Sequence, residues 1–159
     1  MYSLSLAGYY PEDLALVERA GALAAEEVQH FRRVVAILKQ RGWPLAGRRT
    51  NRWAQALRRR IEAGREPLTK VDRLLFGAVV EARSCERFTR LLEEIRGTDA
   101  EVARLLEDLG PAEKRHWEMF HELAGRELGA EELAARFRGW LEFERDLSTR
   151  SGVEPTVHG

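Results

Sequence analysis

The sequence contains a single cysteine, Cys85, among its 159 residues. This excludes an internal disulfide and a zinc site built from several thiolates, and it fits the reducing conditions of the cytoplasm. Proline is scarce, with 5 residues, whereas Ala, Leu, Glu and Arg are abundant, a composition that favours α-helix. No apolar run approaches the roughly 20 residues of a membrane span, and the start MYSLSLAGYY lacks the basic flank and apolar core of a signal peptide. We therefore expect a helical cytoplasmic protein without a membrane span.

Basic and acidic residues balance over the whole chain, 26 against 26, but the basic residues are concentrated in one region. Between Lys39 and Arg73 there are eleven basic and three acidic residues, which predicts a localised anion-binding face. The arginines that would contact the phosphates of an RNA are Arg48, Arg49, Arg52, Arg58, Arg59, Arg60 and Arg65. Trp53 lies among them and would either stack on a base or dock with Leu57 on the other helices.

Apolar residues recur at intervals of three and four along most of the chain, which is typical of amphipathic α-helices. The predicted helices are 11–40, a short basic helix at about 49–63, a long helix of about 71–95 that Leu68 or Thr69 leads into, 99–124 and 131–147. Residues 1–10 are expected to be irregular, and the tail 148–159 carries no periodic signal. The pattern predicts one all-α domain over 11–147 with a basic insert of about 45–66.

Two local signals concern the helix predicted at 99–124. Thr98 and Glu101 have the spacing of a capping box, which predicts that the helix begins at Asp99. Gly110-Pro111 lies midway along the same segment. Because proline removes one backbone hydrogen bond and clashes with the preceding turn, we expect a kink or a short break there.

Three helices carry an acid inside the apolar stripe, where a carboxylate is costly unless it has a proton, a partner or a metal. Glu27 with His30 and Glu113 with His116 form two Glu-x-x-His motifs, which place a carboxylate and an imidazole on one helical face. Glu81 interrupts the stripe of the helix between them. This is most of the ligand pattern of ferritin-like di-iron bundles, and carboxylate and imidazole ligands suit iron or manganese.

One carboxylate of that pattern, the lone glutamate of a fourth helix, is not found. Glu18 lies about half a turn out of phase with Glu27 and does not replace it. Three residues are candidates for positions beside the ligands: Ser84 as a hydrogen-bond donor, Cys85 as a pocket or small core residue, and Glu144 as an acceptor from a ligating imidazole. Without a metal, the same sequence would form a bundle with buried Glu–His or Glu–Arg pairs.

Several segments resemble the bacterial tRNA hydroxylases that act on 2-methylthio-isopentenyl-adenosine, the MiaE-type family. EARSCERF, preceded by PLTKVDRLLFGAVV, is similar to the signature segment of that family. AEEVQHF and AEKRHWEMF are similar to its two Glu-x-x-His segments, and LEFERDL with the terminal His158-Gly159 is similar to its ending. The resemblance covers nearly all of the chain from about Leu14.

The resemblance implies a ferritin-like fold with two non-haem iron ions that use O2 and electrons to hydroxylate the prenyl chain of a modified adenosine. The implied iron ligands are Glu27, His30, Glu81, Glu113 and His116. The implied partners are tRNA and an electron-donating reductase or ferredoxin. The family's first helix, which carries a sixth ligand, is not found in this sequence. A start further upstream, a helix from another chain, or a homodimer would each account for that difference.

Two other functions fit the residues. One is a ferritin- or rubrerythrin-like protein that oxidises iron, and the other is a non-catalytic helical relative that has lost a complete site. The basic region favours the hydroxylase, because an iron-storage protein needs no face for RNA.

Overall fold

The computed structural model describes residues 2–47 and 51–150, and within these ranges the chain forms α-helices and no strand. The helices are α1 (Tyr2–Tyr9), α2 (Leu14–Gln40), α3 (Arg52–Arg58), α4 (Leu68–Ile95), α5 (Ala100–Ala124) and α6 (Ala130–Arg150). The prediction of an all-α chain is confirmed. Arg48 and Arg49, two of the predicted RNA contacts, lie outside the described residues, and so does 151–159. None of the described helices combines the length and apolar character needed to cross a membrane.

Short polar side chains begin three of the helices. Asp13 and Asn51 cap α2 and α3, each accepting a hydrogen bond from the backbone N–H three residues further on. At α5 the cap is Asp99, whose Oδ1 accepts from the N–H of Val102 at 3.1 Å, whereas the Thr98 hydroxyl donates backwards to a carbonyl. The predicted capping box at Thr98 is therefore wrong by one residue, because the Asp99 carboxylate reaches the unpaired N–H group first.

Two segments differ from the sequence prediction. Residues 1–10 were expected to be irregular, but Tyr2–Tyr9 forms α1, which packs on α2 and buries Leu6. Eight residues make only about two turns, too few for an apolar period to show in the sequence. The predicted break in α5 is also wrong, because the helix continues through Pro111. Pro111 and Glu107, whose carbonyl loses its helical partner, are both exposed to water, which can replace that hydrogen bond.

The described residues form two compact units. The first contains the described part of Met1–Arg49 together with Phe88–Leu109, and the second contains the described part of Thr50–Arg87 together with Gly110–Gly159. The N-terminal part of α4 and the C-terminal part of α5 therefore belong to the second unit.

In the first unit, α2 buries only part of its predicted stripe. Ala20 and Ala24 are buried, whereas Phe31 is 54% exposed. At the end of the helix, Arg41 pairs with Asp99 at 2.5 Å and with Glu101 at 2.8 Å. The hydrogen bonds from Arg41 hold the pKa of the Asp99 carboxyl well below its usual range.

In the second unit, a buried acid joins α4 to α6. Both Asp72 oxygens accept hydrogen bonds from Arg136 at 2.7 Å, and the Trp140 indole N–H donates to the same carboxylate at 3.0 Å. The core of this unit includes Trp53 and Leu57 of α3, which are almost fully buried. The short basic helix is thus an integral part of this unit.

Candidate metal centre

Three of the predicted ligands come together in the second unit. One carboxylate oxygen each from Glu81 of α4 and Glu113 of α5, and one imidazole nitrogen of His116, lie within 4.8 Å of one another. Glu113 is 5% exposed and His116 is 4% exposed, whereas Glu81 is half-buried. Two carboxylates this close repel each other unless a proton or a cation lies between them. The donor set of two carboxylates and one imidazole fits iron or manganese.

The sequence pattern of α5 explains how two of these side chains reach the interior. The predicted stripe is buried throughout: Leu106, Leu109, Glu113, His116, Phe120 and Leu123. Steps of three and four keep all six positions on one helical face. The burial of Glu113 and His116 therefore follows from their register within an apolar stripe.

Glycine permits the close approach that brings Glu81 to the same place. A Cβ at Gly77, one turn before Glu81 on α4, would lie 3.0 Å from the Phe120 ring on α5. This is closer than side-chain atoms normally pack, so any larger residue would push α4 and α5 apart.

Gly77→Ala should therefore weaken ferrous binding about tenfold, because it displaces Glu81 from Glu113 and His116. It should also lower the thermal stability. Gly21→Ala in α2, where nothing lies within 4 Å of the new methyl, should instead gain up to about 1 kcal/mol from helix propensity. Equal stabilisation of the two variants with unchanged iron affinity would contradict this role for Gly77. Differential scanning calorimetry and anaerobic ferrous titration provide the two readouts.

One ring nitrogen of His116 has unusual surroundings. Its Nδ1 is buried and has no hydrogen-bond partner within residues 2–47 and 51–150, although the imidazole as a whole does interact with its neighbours. A metal ion is one way to satisfy a buried imidazole nitrogen.

The other Glu-x-x-His motif lies in the first unit. Nδ1 of His30 is 3.2 Å from Oε1 of Glu27, and Nε2 of the same ring is 3.8 Å from Glu26. Glu27 and His30 are both half-buried. The two side chains lie side by side on α2, as their spacing predicted, whereas the contact with Glu26 was not expected.

Glu144 has partners other than a ligand histidine. Its carboxylate accepts hydrogen bonds from Nε and Nη2 of Arg83, from the Trp53 indole at 3.2 Å and from the Ser148 hydroxyl at 2.5 Å. The buried acid therefore links α3, α4 and α6, and no predicted ligand is among these donors. Burial raises the pKa of Glu144. The charge of Arg83, together with the hydrogen bonds from Arg83, Ser148 and Trp53, outweighs burial and holds the pKa of Glu144 below its ordinary value.

The lowered pKa of Glu144 predicts acid sensitivity. Near the ordinary pKa of 4.5, Glu144 becomes protonated in the unfolded chain, whereas it remains ionised in the folded chain. The stabilisation is therefore present above that pH and is lost as the pH falls through the folded-state pKa. Urea unfolding between about pH 6 and pH 4 should show a smaller loss of stability in Glu144→Gln than in the parent. Identical slopes for the two proteins would contradict the prediction.

The two other candidates beside the ligands are half-buried residues of α4, Ser84 and Cys85. Burial, together with the negative charge of Glu113, raises the pKa of the Cys85 thiol. The pocket or small-core position predicted for Cys85 stays a prediction. The hydrogen bond predicted for Ser84 stays a prediction.

The basic region separates into different groups of arginines. Arg52, Arg58 and Arg59 are exposed and form no ion pair with a described residue. Arg65 pairs with Glu62 at 2.6 Å, and Arg60 lies over aromatic rings of α6. Base stacking by Trp53 is ruled out, because its indole is buried; the alternative, docking with Leu57, is what the structure contains.

Comparison with known proteins identifies the family. The chain matches the family model described as tRNA-(MS[2]IO[6]A)-hydroxylase (MiaE) over residues 2–159. A Pseudomonas putida protein named tRNA 2-(methylsulfanyl)-N(6)-isopentenyladenosine(37) hydroxylase is 39% identical over 122 residues, 77% of this chain and 58% of the relative. The Salmonella typhimurium protein of the same name is 34% identical over 132 residues, 83% of this chain and 47% of the relative. The chain thus spans about half the length of these curated relatives.

A solved structure supports the fold. The chain is similar to "Protein 43 with aldehyde deformylating oxygenase activity from Synechococcus", with a TM-score of 0.88 and 27% sequence identity. The match covers 99% of this chain and 76% of that chain. The predicted ferritin-like, all-α fold is confirmed, and the match of the family model over nearly the whole sequence means that this chain belongs to the MiaE family.

Proposed function

We propose that this chain binds two iron ions and acts as an O2-dependent hydroxylase of the prenyl side chain of a modified adenosine in tRNA. The convergence of Glu81, Glu113 and His116 is the observation that carries the proposal. The substrate class comes from the relatives, which are named as hydroxylases of 2-(methylsulfanyl)-N(6)-isopentenyladenosine in tRNA. A tRNA substrate also assigns the reaction to the cytoplasm.

The proposed ligand set extends to the second Glu-x-x-His motif. Glu27 and His30 have the same spacing as Glu113 and His116, and two such motifs are needed for a dinuclear site of this type. Together with Glu81, they complete the five ligands proposed here. Two irons held by these residues would supply the redox chemistry needed to oxidise an unactivated carbon with O2.

The residues of the chain have separate tasks in such a reaction. Glu81 and Glu113 would offset the positive charge of the metal, and the imidazole of His116 would complete the donor set. Burial of Glu113 and His116 keeps water from the reacting centre. The half-buried Cys85 and the buried Phe120 add apolar surface on the same two helices. The site therefore suits an apolar substrate such as a prenyl chain.

Two partners follow from this reaction. The exposed Arg52, Arg58 and Arg59 are proposed to contact tRNA phosphates, and Arg48 and Arg49 belong to the same proposal by sequence. Hydroxylation uses only part of the oxidising capacity of O2, so the remaining electrons must come from a donor such as a reductase or ferredoxin.

The proposal is tested by supplying iron-loaded protein with a reductant, isotopically heavy O2 and tRNA that carries the prenylated adenosine. Mass spectrometry of the digested nucleosides should show one heavy oxygen atom added to the modified adenosine. tRNA without the modification should gain no oxygen. Rapid oxidation of ferrous ions without any hydroxylated nucleoside would support the ferritin- or rubrerythrin-like alternative instead. A chain that neither binds nor oxidises iron would be a non-catalytic relative.

A further inference from the structure

The second unit contains a cavity of about 390 Å³ that the proposed hydroxylation does not use. Its lining residues are Arg60, Glu62, Asp72, Glu132, Ala135, Arg136, Gly139 and Trp140. No proposed metal ligand is among them. A cavity of this size falls in the range of roughly 300–1,000 Å³ typical of sites for small molecules.

One wall of the cavity is fixed by internal hydrogen bonds. Both oxygens of Asp72 accept from Arg136, and the Trp140 indole donates to the same carboxylate. The Asp72 carboxylate is satisfied by these donors, so it shapes the wall and offers little to a ligand, whereas Arg136 keeps N–H groups that it does not use there. The chemistry of binding must therefore come from the remaining polar residues.

Arg60 lines this cavity and lies over two aromatic rings. Its guanidinium carbon lies 5.4 Å from the centre of the Trp140 ring and 5.0 Å from that of Phe143. Among the described residues it has no carboxylate partner. A Cβ at Gly139 would lie 3.1 Å from Nη2 of Arg60, so the glycine leaves room for this position. A planar guanidinium is a group on which an unstacked base can stack.

One acidic residue of the cavity, Glu132, is open to hydrogen-bond donors of a ligand. Glu132 is exposed and makes no hydrogen bond with another described residue, whereas Glu62 is paired with Arg65 at 2.6 Å. An ionised carboxylate only accepts hydrogen bonds. Guanine offers a ring N–H and an exocyclic amino group side by side, which one carboxylate can bind with both oxygens. Uracil has no amino group.

We propose that this cavity binds an unstacked guanine nucleotide of single-stranded RNA, with the base on the Arg60 guanidinium and its amino edge on Glu132. That the guanine belongs to RNA rests on the proposed function, since the same residues would also recognise a free guanine nucleotide. Arg58 and Arg59, exposed just before Arg60, lie where they can contact the flanking phosphates.

The Trp140 indole N–H is a direct reporter of this cavity, because it is buried and held by Asp72. In NMR titrations of the metal-free chain, GMP should shift its resonance and bind about tenfold more tightly than UMP. A short single-stranded RNA with an unpaired guanine should bind more tightly than GMP, because it adds phosphate contacts. If GMP bound as tightly as that RNA, the claim that the bound guanine belongs to RNA would be overturned.

Variants separate the two binding groups. Arg60→Ala and Arg60→Lys should both weaken GMP binding about tenfold. Alanine removes the charge and the planar guanidinium, and lysine keeps the charge but has no planar group on which a base can stack. Glu132→Gln should remove the preference of GMP over UMP. Gly139→Ala should weaken binding without changing any charge, whereas Gly21→Ala should not affect it. Thermal unfolding of each variant establishes that it is folded.

Three results would overturn the proposal: no shift of the indole resonance with any nucleotide, equal affinity for GMP and UMP, or binding that is unchanged in both Arg60 variants. None of these measurements uses iron or hydroxylation. A failure of the cavity is therefore distinguishable from a failure of the proposed function.

Discussion

Replacing Glu113 with glutamine should reduce iron affinity and hydroxylation at least about a hundredfold, while leaving the metal-free protein at least as stable as the parent. The glutamine keeps the shape of the side chain but removes a charge that is 5% exposed and lies close to Glu81. In the metal-free protein, loss of that charge removes the cost of burying an ionised group and the repulsion between Glu113 and Glu81. In the iron-loaded protein, the same change removes a ligand.

Two measurements on Glu113→Gln separate a metal ligand from a structural acid. Iron content after anaerobic loading and gel filtration reports binding, and urea unfolding of the metal-free form reports stability. Glu118→Gln is the matched control, because Glu118 lies on the same helix, is exposed and makes only a 3.8 Å pair with Lys114. A Glu113→Gln protein that keeps its iron, or that loses more than about 3 kcal/mol without metal, would show that Glu113 has a structural role.

The second large effect is expected at the basic face. Replacing both Arg58 and Arg59 with alanine should weaken tRNA binding about tenfold or more at low salt. It should also reduce the slope of log affinity against log salt by roughly 1 to 2, because each phosphate contact releases a counterion. Both side chains are exposed and form no ion pair with a described residue, so their loss should leave the fold intact.

Arg104 and Arg145 provide the control for this pair. Both are exposed helical arginines outside the basic region, and their double replacement by alanine removes the same net charge. Filter binding at several salt concentrations measures affinity and slope for the two double variants. If both reduced the slope equally, the effect would be one of net charge and not of a localised tRNA site.

The burial of Glu113 and His116 was predictable because one helix contains the whole pattern. The register of Glu113 and His116 with Leu109 and Phe120 depends only on the helical period, and all four are buried as expected. The spacing of Glu27 and His30 likewise predicted their contact within α2. Local spacing is information that a sequence carries directly.

The partners of buried acids were less predictable, because they depend on residues distant in the chain. Asp72 lies in an apolar stripe of α4 just as Glu81 does, with Leu75 and Val79 at steps of three and four. Asp72 is satisfied by Arg136, 64 residues away, and not by a metal. The cost of burying a carboxylate marks both Asp72 and Glu81 as residues that need a partner. Only the tertiary structure shows that Asp72 pairs with an arginine, whereas Glu81 lies near a second carboxylate.

The burial of individual side chains could not be predicted where the sequence does not show which helix packs over them. Phe31 fits the stripe of α2 but is exposed, whereas Trp53 stands among exposed arginines and is buried. The cavity beside Arg60 combines residues of the loop after α3 with residues of α4 and α6, and these share no sequence motif. Such features depend on which faces of distant helices meet.

The metal centre itself is tested most directly by anaerobic titration of the purified chain with ferrous ions, followed by gel filtration and metal analysis. If Glu27, His30, Glu81, Glu113 and His116 are ligands, the chain should retain about two iron ions, and His116→Ala should lose most of this iron. Retention of less than about 0.2 iron ions per chain, or equal iron in the parent and in His116→Ala, would contradict a di-iron centre at these residues.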